Sequence, residues 1–367
     1  MLRILHTADI HLDAPFGFLG SKGAAHRRQI RETFTRITTL AAEERYDLLL
    51  IAGDLFNSNH PARETQHFLA TVLAAVPCTV CILPGNHDFL DRRSVYHKLA
   101  LPPNVHLLAQ RPTYLELPEL DLMVAGNPIE SKHDDSPQLK DITRGGDARW
   151  FVAMAHGNMK IPGPFESTSR PIESEAISAT KADYIALGDW HRYTNYSHGG
   201  VAAYYSGAPE PTSVSQNKTG SVASVILSGQ GISVESVKVG IVQAQSVEID
   251  VTGLTEEEVV TAVQAQAGSN LMMTVTLRGM KSAANLLDLE TIHGATAAGF
   301  YWLQIKDNAA FSFQDLDPND YPEVFVIGQY VRLLANRIEE AGDEREKRLA
   351  EGALQLGVAL LKGHKVL

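Results

Sequence analysis

The 367 residues carry 43 acidic against 32 basic side chains, a net charge of −11 with histidines neutral, and 44% of positions are hydrophobic. That composition excludes a disordered or fibrous chain, and no apolar run approaches the roughly 20 residues of a membrane-spanning helix. The length exceeds one ordinary core, so two domains, or one large domain with an appendage, are expected.

The first apolar run, 2–5, enters a strand without a signal-peptide pattern, so a cytoplasmic protein is expected. A helical pattern follows over about 26–45, then an apolar run at 48–51, then a second helical pattern over about 62–76 that opens just after Pro61. Further short apolar runs occupy 80–83, 122–125, 150–154 and 184–187. Continuous apolar runs of this length suit strands covered on both faces, which predicts an α/β architecture. Beyond Gly199 the runs 201–205, 222–227 and 232–239 follow one another without helices, and a second sheet is expected there.

The texture changes near Ile241. A strand is predicted at 247–251, Thr255 and Glu258 fit a capping box that opens a helix, and strands are predicted at 271–277 and 300–305. After Pro322 two helical stretches are broken near Gly342. One carries Val331, Leu334 and Ile338 at helical spacing, the other Leu349, Leu356 and Leu360. The expected division is a catalytic domain at 1–240, a small α+β module at 241–320 and a helical tail at 321–367. Residues 241–367 hold 18 acidic and 10 basic side chains, which leaves 25 and 22, a net of −3, in residues 1–240.

The chemistry lies at the strand ends. The apolar runs of the first domain stop at "HTADIHLD", "AGDLF", "PGNHD", "AHGN" and "GDWHR". Loops beyond the carboxyl ends of strands in an open α/β sheet converge on one edge. Asp9, His11, Asp54, Asn86, His87, His156, Asp189 and His191 are therefore expected to meet, although nearly 200 residues separate the first from the last. One Asp after a strand is ordinarily a cap or turn, and one His is ordinarily a hydrogen-bonded core residue; five strand ends of the same kind are not explained that way. Carboxylates, imidazoles and an amide without thiolate suit Mn²⁺, with Fe, Zn²⁺ or Mg²⁺ as alternatives. The donors are too many for one ion, and a two-metal site is expected, of the kind that clamps the attacking and leaving oxygens of a phosphoryl displacement. The lone C-x-x-C of Cys78 and Cys81 has no second pair and lies in or beside a buried strand, so packing is its expected role.

The sequences "ADIHLD", "AGDLFNSNHP", "PGNHD", "AHGN" and "GDWH" resemble the ordered motifs of the calcineurin-like metallophosphoesterases, and more narrowly those of the SbcD-like DNA repair exonucleases. The resemblance implies a four-layer αββα sandwich with a small α+β capping module and a helical C-terminal tail. It assigns one metal to Asp9, His11, Asp54 and His191. The other goes to Asp54, Asn86, His156 and residue 189, with Asp54 bridging. It departs at one position: the family has G-H-x-H at the last motif, whereas this chain has Gly188-Asp189-Trp190-His191. Asp189 is retained as a ligand that adds negative charge and favours a hard ion such as Mn²⁺.

The expected reaction is hydrolysis of a phosphodiester by a metal-activated hydroxide, with His87 as general acid. Two divalent ions bring +4 to a domain carrying −3, so a polyanion such as DNA is admissible. Arg92, Arg93 and Arg192 are the candidate phosphate contacts. By resemblance the partners are DNA, an SbcC-like coiled-coil ATPase docked on the tail, and a second copy of the chain, with no membrane. The competing expectations are an esterase for a small phosphodiester or phosphoprotein, and a scaffold that keeps the fold without catalysis.

Overall fold

In a computed structural model the described residues are 1–160, 169–282, 287–312 and 321–361. Contacts divide the chain into two compact units, Met1–Gln245 and Ser246–Leu367.

Among the described residues the first unit is built on two six-stranded sheets. One contains β1 (Leu2–Thr7), β2 (Leu48–Ala52), β3 (Thr79–Leu83) and β4 (Val105–Leu107), parallel throughout. Helices α1 (Gly23–Glu43) and α2 (Arg63–Ala74) are its crossovers, burying Ile30, Phe34, Ile37, Leu69 and Leu73. The other contains β5 (Thr113–Leu117), β6 (Leu122–Gly126), β7 (Trp150–His156) and β10 (Tyr184–Gly188). Before β10 come the short pair β8 (Asn158–Met159) and β9 (Pro171–Ile172) and the helix α3 (Ser174–Thr180). The sheets face each other across one apolar layer, because alternate residues on each strand point the same way. Ile4, Leu48, Leu50 and Leu83 from one sheet join Val124, Val152, Met154 and Ala186 from the other. The far side of the second sheet packs Phe151, Ile185 and Leu187 on Ile177 of α3 and on Leu139 and Ile142. Helices outside and sheets inside give the expected four layers.

The strands after Gly199 do not make a sheet of their own, contrary to expectation. β12 (Ala202–Tyr205), joined by β11 (Thr194–Asn195) from before Gly199, extends the β10 sheet, while β13 (Ser221–Ser228) and β14 (Gly231–Lys238) extend the β1 sheet. Pairing Leu2 with Leu227 closes a loop of more than 200 residues. Local periodicity is blind to that choice, because an apolar strand pairs equally well with any neighbour that offers a free edge.

The chain enters the second unit within β15 (Gln243–Asp250), which forms a sheet with β16 (Gly268–Arg278) and β18 (Phe300–Asp307), backed by α4 (Glu256–Gln264) and α5 (Leu289–Thr296), around Val259, Val263, Val275, Leu277 and Ile292. The capping box is present: Thr255 Oγ1 accepts the Glu258 amide at 3.3 Å, and Glu258 Oε2 accepts the Thr255 amide at 2.8 Å. A two-stranded pair, β17 (Met280–Ser282) with β19 (Ala310–Ser312), completes it. The predicted module boundary at residue 320 lies outside the described residues. The helices α6 (Val326–Glu339) and α7 (Glu344–Leu361) pack through Val331 and Leu334 against Leu354 and Val358. The face expected of α7 is corrected: Leu349, Leu356 and Leu360 are exposed, and the inward row is Ala350, Leu354 and Val358. Both rows have helical spacing, and only the crossing of α6 selects between them. Among the described residues no helix is long and apolar enough to cross a membrane.

His6 of β1 is buried in the layer between the sheets, with Nδ1 2.8 Å from the Tyr184 hydroxyl. Burial holds its pKa down at about 3. Below about pH 6.5 the unfolded chain takes up a proton that the folded chain refuses, so stability is full above that pH and falls as pH drops toward 3. Denaturant titrations at pH 7 and 5 should show the wild type losing about 2 kcal/mol more than His6→Gln.

Candidate metal centre

Each predicted donor leaves a strand at its carboxyl end, and the two sheets bring those ends to one edge. Asp9 and His11 follow β1, Asp54 follows β2, Asn86 and His87 follow β3, His156 ends β7, and Asp189 and His191 follow β10. The β1 and β2 loops are laced together, since Asp9 N donates to Gly53 O at 3.1 Å and His11 N to Asp54 O at 2.9 Å. Asp9, His11, Asp54 and Asp189 all have positive φ, at 55°, 52°, 51° and 94°. Such backbone costs about 1–3 kcal/mol per residue and persists where the surroundings impose it. Two glycines permit the approach. A Cβ on Gly53 would lie 2.0 Å from His156 Nδ1, and one on Gly85 2.3 Å from Asp54 Oδ1.

Two atoms bound to one divalent ion at about 2.1 Å each lie within about 4.2 Å of each other. His156 Nε2 is 3.0 Å from Asn86 Oδ1, 3.5 Å from Asp54 Oδ2 and 3.7 Å from Asp189 Oδ1. His11 Nε2 is 3.6 Å from Asp54 Oδ2, and His191 Nε2 is 3.8 Å from Asp9 Oδ1. Asp54 Oδ2 therefore lies between two sets of donors. The triples Asp9–His11–His191 and Asp9–Asp54–His156 each place one ligand atom per residue within 4.8 Å of the others, as does His11–Asp54–His87. Among the described residues neither ring nitrogen of the buried His11 has a hydrogen-bond partner, a cost that a cation at Nε2 would lessen. The residues fit a pair of hard or borderline divalent ions.

Supporting contacts fix the donors. His156 Nδ1 is 2.9 Å from the Ala52 carbonyl, which directs Nε2 to the centre. Asp88 accepts from Gly85 N at 2.7 Å, Phe56 N at 3.0 Å and the Tyr96 hydroxyl at 2.7 Å, so it shapes the loop as a hydrogen-bond acceptor. His87 stands edge-on to His11, ring centroids 4.8 Å apart, with Nδ1 3.0 Å from Asn57 O. Arg92 and Arg93 are exposed on the following loop. Arg192 lines a cleft of about 480 Å³ together with Asp189, Trp190 and His191. Sequence reading missed three neighbours. Trp190 is 46% exposed at that cleft, while Asn158 and the buried Arg170 both donate to Asp189. The "AHGN" and "GDWH" motifs contain Asn158 and Trp190, but nothing in the sequence signals Arg170. Cys78 and Cys81 are buried and free, the Cys78 thiol pushed up by burial to about 11.

Burial drives the electrostatics. It raises Asp9 to about 6, against His191 and His156, and lowers His11 to about 3. For Asp54 burial pulls upward, but His156 and His11 hold it below the usual carboxylate range. Burial pulls His156 downward, yet Asp54, Asp189 and Asp9 raise it to about 10.

Two facing mixed sheets under helical cover, with carboxylates and imidazoles at one edge, define a metallophosphoesterase. The chain belongs to the calcineurin-like phosphoesterase family, whose model matches residues 2–193, just over half of it. It is similar to the SbcD component of the nuclease SbcCD of Bacillus subtilis, 26% identical over 59% of this chain and 63% of that protein. It is also similar to the uncharacterized metallophosphoesterase YhaO of Bacillus subtilis, 25% identical over 56% and 52%. The DNA double-strand break repair protein Mre11 of Methanosarcina mazei is 26% identical over 64% of this chain and 37% of that protein. The chain thus spans less than two thirds of the length of these relatives.

With His156 protonated below about pH 10 and Asp9 below about 6, ions must displace protons to bind. Mn²⁺ affinity should therefore rise with pH, releasing about one proton between pH 6 and 9. Calorimetry in buffers of differing ionisation enthalpy measures this. Asp54→Ala should abolish binding of at least one ion.

Proposed function

We propose that this chain is a two-metal phosphodiesterase that cleaves DNA as an exonuclease and also as an endonuclease, in DNA repair. The observation that carries the reading is the spacing of the donors around Asp54, from five strand ends, at distances suited to shared ions. The printed names of two relatives, a nuclease and a double-strand break repair protein, support DNA as the substrate. Asp9, His11, Asp54 and His191 would hold one ion, and Asp54, Asn86, His156 and Asp189 the other. Mn²⁺ is favoured by the hard carboxylate share of this donor set.

When bound, the ions would lower the pKa of water toward about 7 and neutralise charge on the phosphate. The chain's own residues do the rest. His87, anchored through Nδ1 to the Asn57 carbonyl, keeps Nε2 for the substrate and as imidazolium donates a proton to the leaving oxygen. Arg192 meets a backbone phosphate at the cleft, Arg92 and Arg93 meet others, and the exposed face of Trp190 offers a base a stacking surface. Exposed Leu349, Leu356 and Leu360 on α7 form the docking row for an SbcC-like ATPase, the chain acts as a homodimer, and the segment 241–320 serves as the capping module. A cytoplasmic location belongs to the same proposal and rests on the DNA substrate.

The test offers Mn²⁺-loaded protein labelled duplex and single-stranded DNA beside a chromogenic phosphodiester. DNA cleavage upholds the reading. Turnover of the small ester alone moves the substrate to a small molecule or phosphoprotein, and no turnover with ions bound leaves a scaffold. His87→Gln is expected to keep both ions and lose about 10²–10³ in kcat. Trp190→Ala is expected to raise the KM for an oligonucleotide several-fold.

A further inference from the structure

Asp189 stands where the family has a histidine, and its carboxylate is not free. Asn158 Nδ2 donates to Oδ2 at 2.6 Å, and an Arg170 guanidinium nitrogen lies 3.1 Å from Oδ2 and 3.4 Å from Oδ1. Oδ2 is thus engaged twice, while Oδ1 is turned toward His156 Nε2 at 3.7 Å. Arg170 is only 9% exposed, and among the described residues its Nε has no hydrogen-bond partner. Its place is set by backbone. It has φ 49° immediately before β9, its carbonyl accepts the Asn158 amide at 3.1 Å, and a Cβ on Gly157 would lie 2.3 Å from that carbonyl. The β8–β9 pair therefore delivers both donors to one carboxylate.

An aspartate in place of a neutral imidazole adds one negative charge to the donor set, and a buried guanidinium against it removes that charge. We propose that Arg170 is a positioning residue: it aims Asp189 Oδ1 at the second ion's place and cancels its charge, so that the Arg170–Asp189 pair stands in for a neutral ligand. The inference rests on the two-metal reading above. It makes the two residues interdependent. Either one alone unbalances the second ion, in opposite directions, and changing both restores the balance.

The experiment titrates Mn²⁺ into metal-stripped full-length chain, with ion stoichiometry by elemental analysis and ion pairing by electron paramagnetic resonance. Wild type should bind two ions. Arg170→Met should bind the second at least about tenfold more tightly, because the carboxylate is then uncompensated while Asn158 still holds Oδ2. Asp189→His should bind it at least about tenfold more weakly, because an unpaired guanidinium repels it. The double variant Arg170→Met/Asp189→His should recover the second ion relative to Asp189→His. If thermal melting shows Asp189→His unfolded, Arg170→Met against wild type decides. Two ions in wild type with second-ion affinity unchanged or weakened in Arg170→Met, or no recovery in the double variant when Asp189→His folds, overturns this inference alone. Wild type that binds no more than one ion overturns the two-metal reading and this inference with it.

Discussion

The organising constraint is the burial of like charges. Asp9 and Asp54 lie buried beside each other and beside Asp189, at the edge where both sheets end. Carboxylates so placed repel one another and have lost their hydration, and nothing in an apolar layer offsets that except opposite charge. Among the imidazoles His156 supplies it when protonated, whereas burial keeps His11 from its charged form. Divalent cations would answer both deficits, and the loops hold the donors as such ions require. Positive-φ aspartates, glycines without room for a Cβ and backbone hydrogen bonds between neighbouring loops all hold donors where relaxation would otherwise carry them apart.

Rigid support comes from the sheets. Parallel strands deliver their carboxyl ends side by side, and the shared apolar layer fixes one sheet against the other, so that Asp54 on one and His156 on the other keep a 3.5 Å separation. The same layer accounts for the sensitivity assigned to His6, which faces it without titrating at neutral pH. Site and core are thus one mechanical object: a change that lets the sheets slide also moves the donors of one sheet relative to those of the other.

In the proposed two-ion centre, Asp189 is a changed ligand with its compensation beside it. A carboxylate there brings charge that a histidine would not, and the chain places Arg170 and Asn158 against it from an adjoining pair of short strands. Opposite charge in direct contact with Asp189 acts more strongly on it than the same charge placed farther away.

Much of this was legible in the sequence, for a physical reason. Strand ends, helix starts such as the Thr255 capping box, and the residue types that bind hard cations are local properties, and a period of two or 3.6 residues exposes them. That Asp9, Asp54, Asn86 and His156 would meet followed from one rule about where strands end. What the sequence left undetermined is pairwise and distant. β13 chose the free edge of β1, α7 turned Leu354 and not Leu356 toward α6, and Arg170 reached Asp189. Each depends on which surfaces are brought together once the chain is folded, and residues far apart in the chain carry no local mark of one another.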